Sequence, residues 1–113
     1  MHEMSLAEGV REIVEDAARA HGARRVGVVR LEIGRLSQVE VEAMRFAFEV
    51  VQRGTVAEGA RLEIVETDGT AWCLRCSAPV VIARRGDPCP VCQSWQLQVT
   101  GGDRMRVIDI QIE

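Results

Sequence analysis

The chain contains no lysine and no tyrosine, and aromatic residues fill only 4% of its 113 positions. All 14 basic residues are arginine, set against 17 acidic ones, for a formal net charge of −3. An acidic chain gains little by displacing counterions from phosphates, and so few rings leave no platform for stacked bases. A general nucleic-acid binder is therefore not expected. No apolar run approaches the ~20 residues that span a bilayer, so no membrane role is expected either. The opening residues, Met1-His2-Glu3-Met4-Ser5, lack the basic start and apolar stretch of a secretory leader, which predicts a cytoplasmic location. Thiols are scarce too: there are four, with none outside two short hooks. No Cys/His pair is left free for nucleophilic catalysis, so an enzyme is not expected.

The hooks are Cys73-Leu74-Arg75-Cys76 and Cys89-Pro90-Val91-Cys92. A two-residue gap lets two sulfurs of one turn converge on one ion. Two such turns complete a tetrahedral four-sulfur shell, which suits zinc at about 2.3 Å per bond. Two disulfides or redox pairs are the alternative, and they need an oxidising compartment. Four thiolate ligands leave no open coordination position, so this zinc would be structural rather than catalytic. Zinc knuckles often carry glycine directly after each hook, where positive φ is needed. Ser77 and Gln93 stand there instead, which predicts strained or differently shaped turns.

Elsewhere the apolar periodicity predicts an α+β fold. Leu6, Val10, Ile13, Val14, Ala17 and Ala18 recur at helical spacing over 5–21, with Ser5 and Glu8 at capping-box spacing and Gly22 as the stop. Val29, Leu31 and Ile33 alternate with polar residues in a strand over 25–33. A second helix over 38–53 has Ser37 and Glu40 as its capping box, Ala43, Met44, Ala47, Phe48 and Val51 as its apolar face, and Gly54 as its end. Both Phe46 and Phe48 are expected in the core. Strands follow at 60–66 and from Met105 to Ile112. Between them, residues 70–103 hold all the cysteines, prolines and tryptophans, a composition suited to a metal-held knuckle. The expected arrangement is a three-stranded sheet with two helices on one face and an inserted zinc-ribbon-like knuckle. Residues 1–69, completed by the strand at 104–113, form one domain and 70–103 a zinc-binding one.

Histidine at position two can present the amine of Met1, its own backbone nitrogen and its imidazole to one ion. The backbone nitrogen of Glu3 or a side-chain group would be the fourth ligand. A tetragonal nitrogen set suits Ni(II) or Cu(II) rather than zinc, and the need to displace an amide proton makes affinity rise with pH. Taken alone, a Met-His start is a weak motif. His21, the other histidine, falls at the end of the first helix, where it is expected to favour the helix C-terminus rather than to bind metal.

Taken together, these segments resemble the hydrogenase nickel-incorporation proteins, the HypA/HybF family. The likeness rests on Met1-His2-Glu3-Met4-Ser5-Leu6; on LEIGRLSQVEVEAMRFAFEV over 31–50; on Ala71-Trp72-Cys73 to Cys76 and Pro88-Cys89-Pro90 to Cys92; and on Gly102-Asp103-Arg104-Met105-Arg106-Val107. The resemblance implies a metallochaperone that binds Ni(II) through His2, with the Met1 amine and the Glu3 backbone contributing. It implies a structural zinc on Cys73, Cys76, Cys89 and Cys92. Its partners would be a HypB-type GTPase and the large subunit of [NiFe]-hydrogenase, with urease maturation served in some organisms. An acidic residue near Glu40 is a candidate extra nickel contact in some relatives; here a capping role for Glu40 is expected. A zinc-ribbon module that binds protein or nucleic acid without nickel transfer is the alternative. Arg84 and Arg85, between the hooks, fit either a partner contact or a solvated loop.

Overall fold

The structure, a computed structural model, describes residues 2–113. Its elements are α1 (His2–Ala20), β1 (Val26–Gly34), α2 (Val41–Val51), β2 (Arg61–Thr67), β3 (Gly69–Cys73), β4 (Ala78–Ile82), β5 (Leu97–Gly101) and β6 (Met105–Ile112). The fold is α+β, with one three-stranded sheet in the order β2-β1-β6 and a second in the order β4-β3-β5. The chain divides into two compact units. The first comprises the residues up to Leu31, Val39–Val65 and Arg106–Glu113; the second comprises Glu32–Gln38 and Glu66–Met105.

In the first unit α1 packs against α2. Ala7, Val10, Val14 and Ala18 of α1 are buried, as are Met44, Ala47, Phe48 and Val51 of α2. Val29 and Leu31 of β1 are fully buried in the same unit. The other face of the sheet is polar: Arg30 of β1 pairs with Glu63 of β2 at 3.6 Å and with Asp109 of β6 at 2.8 Å. A sheet with one apolar and one charged face takes both helices on the apolar side.

Two residues of the first unit depart from the expected core. Ile13 is 52% exposed and Phe46 is 62% exposed. At 3.6 residues per turn, Ile13 points about 100° from the centre of the buried face of α1 and Phe46 about 150° from that of α2. Ala7 and Ala18 close the stripe of α1 instead, because small side chains let the two helices approach.

Neither predicted capping box forms. Helix α1 runs through Ser5 from His2, and α2 starts only at Val41. Glu40 occupies the N-cap position of α2, but its side chain makes no capping bond. Its backbone N–H donates instead to the Glu3 carboxylate at 3.1 Å. A contact between helices thus replaces a local one. The helix stops behave as expected, with Gly22 and Gly54 both at positive φ (64° and 77°).

The second unit contains strands that the composition of 70–103 did not announce. β3 pairs antiparallel with both β4 and β5, with Cys73 opposite Ala78 on one side and Leu97 on the other. Pro79 sits in β4, an edge strand, where a missing N–H is tolerated. The core of this unit is small: Leu36, Ala71, Cys73, Val80, Ile82 and Cys89, with Cys76, Cys92, Leu97 and Val99 packed on it. Backbones cross closely at Gly102, where φ is +73° and a Cβ would lie 2.1 Å from the Asp68 carbonyl oxygen, so only glycine fits.

Candidate metal centre

Each hook is a turn between strands. Cys73 ends β3, and Cys76 follows before β4 begins; Cys89 and Cys92 lie in the turn that precedes β5. The fold brings the four sulfurs together, all within 4.8 Å of one another. Cys73 Sγ and Cys92 Sγ are 3.6 Å apart, and Cys76 Sγ and Cys89 Sγ are 3.9 Å apart. A tetrahedral zinc site with bonds of about 2.3 Å has sulfur–sulfur edges of about 3.8 Å, so the cage has the right size for that ion. The thiols are free, and no disulfide joins them.

The backbone is wrapped around the sulfurs to stabilise negative charge. The Cys76 N–H donates to Cys73 Sγ at 3.3 Å. The N–H groups of Val91 and Cys92 donate to Cys89 Sγ at 3.4 and 3.5 Å. The Gln93 N–H closes the same turn by donating to the Cys89 carbonyl oxygen at 2.9 Å. Ser77 and Gln93 then reverse the chain at φ 52° and 65°. The knuckle geometry is thus kept without glycine, and the left-handed strain falls on these two residues. The Cys92 and Val91 N–H groups draw the Cys89 thiol down to about 7. Cys76 is pushed up to about 12, first by hydrogen bonding to Cys92 and then by burial. Four sulfurs this close cannot all ionise without a cation among them.

At the other candidate site, His2 and Glu3 occupy the first turn of α1. Met1, whose amine was expected to complete the nitrogen set, lies outside the described residues. His2 is half exposed, and its Nδ1 lies 3.3 Å from Glu3 Oε2. N–H groups in the first turn of a helix have no acceptor within that helix, so the backbone nitrogens of His2 and Glu3 are not committed to the helix ladder. The Glu3 carboxyl is held below its ordinary range, chiefly by the Glu40 N–H. The tie between Glu3 and Glu40 was missed from sequence; a glutamate that faces no lysine or arginine in its own turn was the one signal. His21 Nδ1 bonds the Ala17 carbonyl oxygen at 2.9 Å, as expected of a helix C-terminus. No helix among the described residues is long and apolar enough to cross a membrane.

Residues 1–112 match the family model described as hydrogenase/urease nickel incorporation, metallochaperone, hypA. The chain is 57% identical over 113 residues to the hydrogenase maturation factor HypA of Azotobacter chroococcum mcd 1, and 56% identical to that of Azotobacter vinelandii, with all of each chain covered. Among solved structures, the solution structure of a HypA protein matches with a TM-score of 0.73 and 26% identity, covering 100% of this chain and 97% of that one. The nickel metallochaperone HypA from Helicobacter pylori matches with a TM-score of 0.69 and 24% identity, over 97% of this chain and 96% of that one, a likeness of fold.

Proposed function

The chain belongs to the HypA family of hydrogenase and urease nickel-incorporation metallochaperones, and from that premise we propose that it carries Ni(II) at its N-terminus and hands it on. The nickel ligands are the His2 imidazole and the backbone nitrogen of Glu3, completed by the Met1 amine. Cys73, Cys76, Cys89 and Cys92 hold a structural zinc, so that residues 70–103 form a zinc-binding domain beside a nickel-binding domain of 1–69 and 104–113. The recipient is the large subunit of [NiFe]-hydrogenase, with a HypB-type GTPase as the partner in delivery and urease maturation as a second destination.

The observation that carries this reading is the match over residues 1–112, which covers a His2-Glu3 start and a four-sulfur cage in one chain. The two sets divide the work. Thiolates bind zinc tightly and support a small core, so that metal stays. Nitrogens in the first turn of a helix depend on few packed groups, so a competing ligand set can strip the ion away with little rearrangement. Loading by way of a backbone nitrogen requires loss of its proton, so uptake rises with pH.

The test is metal analysis of untagged protein before and after nickel addition. His2→Ala is expected to abolish nickel uptake and to leave zinc near one ion per chain. Unchanged nickel uptake refutes the nickel assignment, and loss of zinc on that substitution refutes the separation of the two sites.

A further inference from the structure

The four cage sulfurs differ in access. Cys73 and Cys89 are fully buried, whereas Cys76 and Cys92 are half-buried. Each half-buried sulfur faces a buried one across the cage. Cys92 Sγ lies 3.6 Å from Cys73 Sγ, and Cys76 Sγ lies 3.9 Å from Cys89 Sγ. Both of these pairs join different hooks. Within each hook, the backbone N–H of the second cysteine already points at the sulfur of the first, from Cys76 to Cys73 at 3.3 Å and from Cys92 to Cys89 at 3.5 Å. A bond inside a hook would displace that donor, and a bond across the cage leaves it in place.

The hooks are also tied down by contacts that involve no sulfur. The Leu74 N–H donates to the Gln96 carbonyl oxygen at 3.0 Å, and the Cys89 N–H donates to that of Ser94 at 2.8 Å. Cys73 is paired in β3, opposite Ala78 on one side and Leu97 on the other. A disulfide has its sulfurs about 2 Å apart, so each facing pair needs to close by no more than about 2 Å.

We propose that the cage is a peroxide-responsive switch, in which oxidation joins Cys73 to Cys92 and Cys76 to Cys89 and sets the zinc free. This rests on the zinc reading of the four cysteines and is independent of the nickel reading. The oxidant is hydrogen peroxide. The thiolate of Cys76 or Cys92 attacks it and the O–O bond breaks; one oxygen stays on sulfur as a sulfenic acid and the other leaves as hydroxide. The buried thiolate opposite then displaces hydroxide from that sulfur and the S–S bond forms. Each disulfide consumes one peroxide and two protons and yields two waters, with two electrons passing from the sulfur pair to oxygen. Once all four thiolates are spent, no ligand to the ion is left. The cross-hook bonds take over as the staple, joining residues 19 and 13 apart in sequence, so the second unit stays folded without metal.

The experiment titrates the full, zinc-loaded and nickel-free chain with hydrogen peroxide at high dilution. Zinc release is read with a chromogenic indicator, disulfides by peptide mapping, and folding by the amide resonance dispersion of 66–105. Zinc content at the outset, near one ion per chain, tests the zinc reading by itself. Zinc is then expected to leave in step with the loss of the four thiols, and the bond map to show Cys73 with Cys92 and Cys76 with Cys89. Dispersion should survive in the oxidised chain and collapse in the chelated, reduced one. A thiol reductant with added zinc should restore the starting spectrum. With zinc present at the outset, bonds within a hook or between chains, sulfinic or sulfonic acids in place of disulfides, retained zinc, or collapsed dispersion after oxidation overturns the proposal.

Discussion

The carboxylate of Glu3 accepts the backbone N–H of Glu40, 37 residues further along the chain. In a capping box, the glutamate at the third position of a helix reaches back to the N–H of its own N-cap. The third position of α2 is Ala43, which has nothing to offer. Glu3 supplies that half of the box from α1, so the start of one helix closes the start of the other.

This arrangement makes a pH-dependent contribution. The folded-state pKa of Glu3 lies below 4.5, with the Glu40 N–H as the largest cause. Its stabilisation is therefore complete above the unfolded value and drains as pH falls through the lower, folded one. Glu3→Gln keeps the shape and removes the charge. Its unfolding midpoint should lie below that of the parent chain at neutral pH, and the gap should close in acid. Because the proposed nickel contact of Glu3 is its backbone nitrogen, nickel stoichiometry should not change. A gap that persists in acid would show that lost packing, not charge, is responsible.

Ser77 and Gln93 bear left-handed backbone directly after the hooks. That conformation costs a non-glycine residue about 1–2 kcal/mol, of which the greater freedom of glycine in the unfolded chain takes back about 0.5–1 kcal/mol. Ser77→Gly and Gln93→Gly should each raise stability by a few tenths to about 1 kcal/mol and slow zinc loss to a chelator. Equal or faster zinc loss in both variants counts against strain at these turns.

Removal of the metal should unfold the second unit. Two of its six buried core residues, Cys73 and Cys89, are sulfur ligands, and structural zinc sites contribute on the order of 10–16 kcal/mol at neutral pH. Chelation, or Cys73→Ser, should collapse the amide resonance dispersion of 66–105. Zinc affinity should fall as pH falls, since each thiolate must give up its place to a proton. Cys89, drawn down to about 7 by backbone N–H groups, ionises before Cys76, which is pushed up to about 12 and stays protonated until the cation arrives. Zinc loading at neutral pH should therefore release protons, measurable with an indicator dye. Loading without proton release would contradict this order of ionisation.

The two phenylalanines of α2 should differ sharply despite lying two residues apart. Phe48 is 4% exposed and Phe46 62%. Phe48→Ala is expected to destabilise by about 3–5 kcal/mol, and Phe46→Ser to stay within about 0.5 kcal/mol, by denaturant melts. A large loss at Phe46 would mean that something covers it in solution.

Spacing made the convergence of the sulfurs legible, and period-2 and period-3.6 patterns located both helices and the strands of the first sheet. The strands of the second unit were obscured because Gly69, Pro79 and the hook turns break the alternation, and because short strands there are held by one another and the sulfur cage. Capping signals at Ser5 and Ser37 misled because each is worth about 1 kcal/mol, less than the contacts that moved the helix starts.

By itself the sequence determined chemistry that is local: two thiols per turn, a histidine at the second position, and apolar stripes at helical and strand spacing. Those follow from covalent reach and backbone geometry, which need no distant partner. The tertiary structure alone decided that Glu3 closes α2 and that Arg35, Arg84 and Arg85 share one pocket. Each of these depends on groups far apart in the chain, whose meeting is set by packing of the whole unit and not by any local preference.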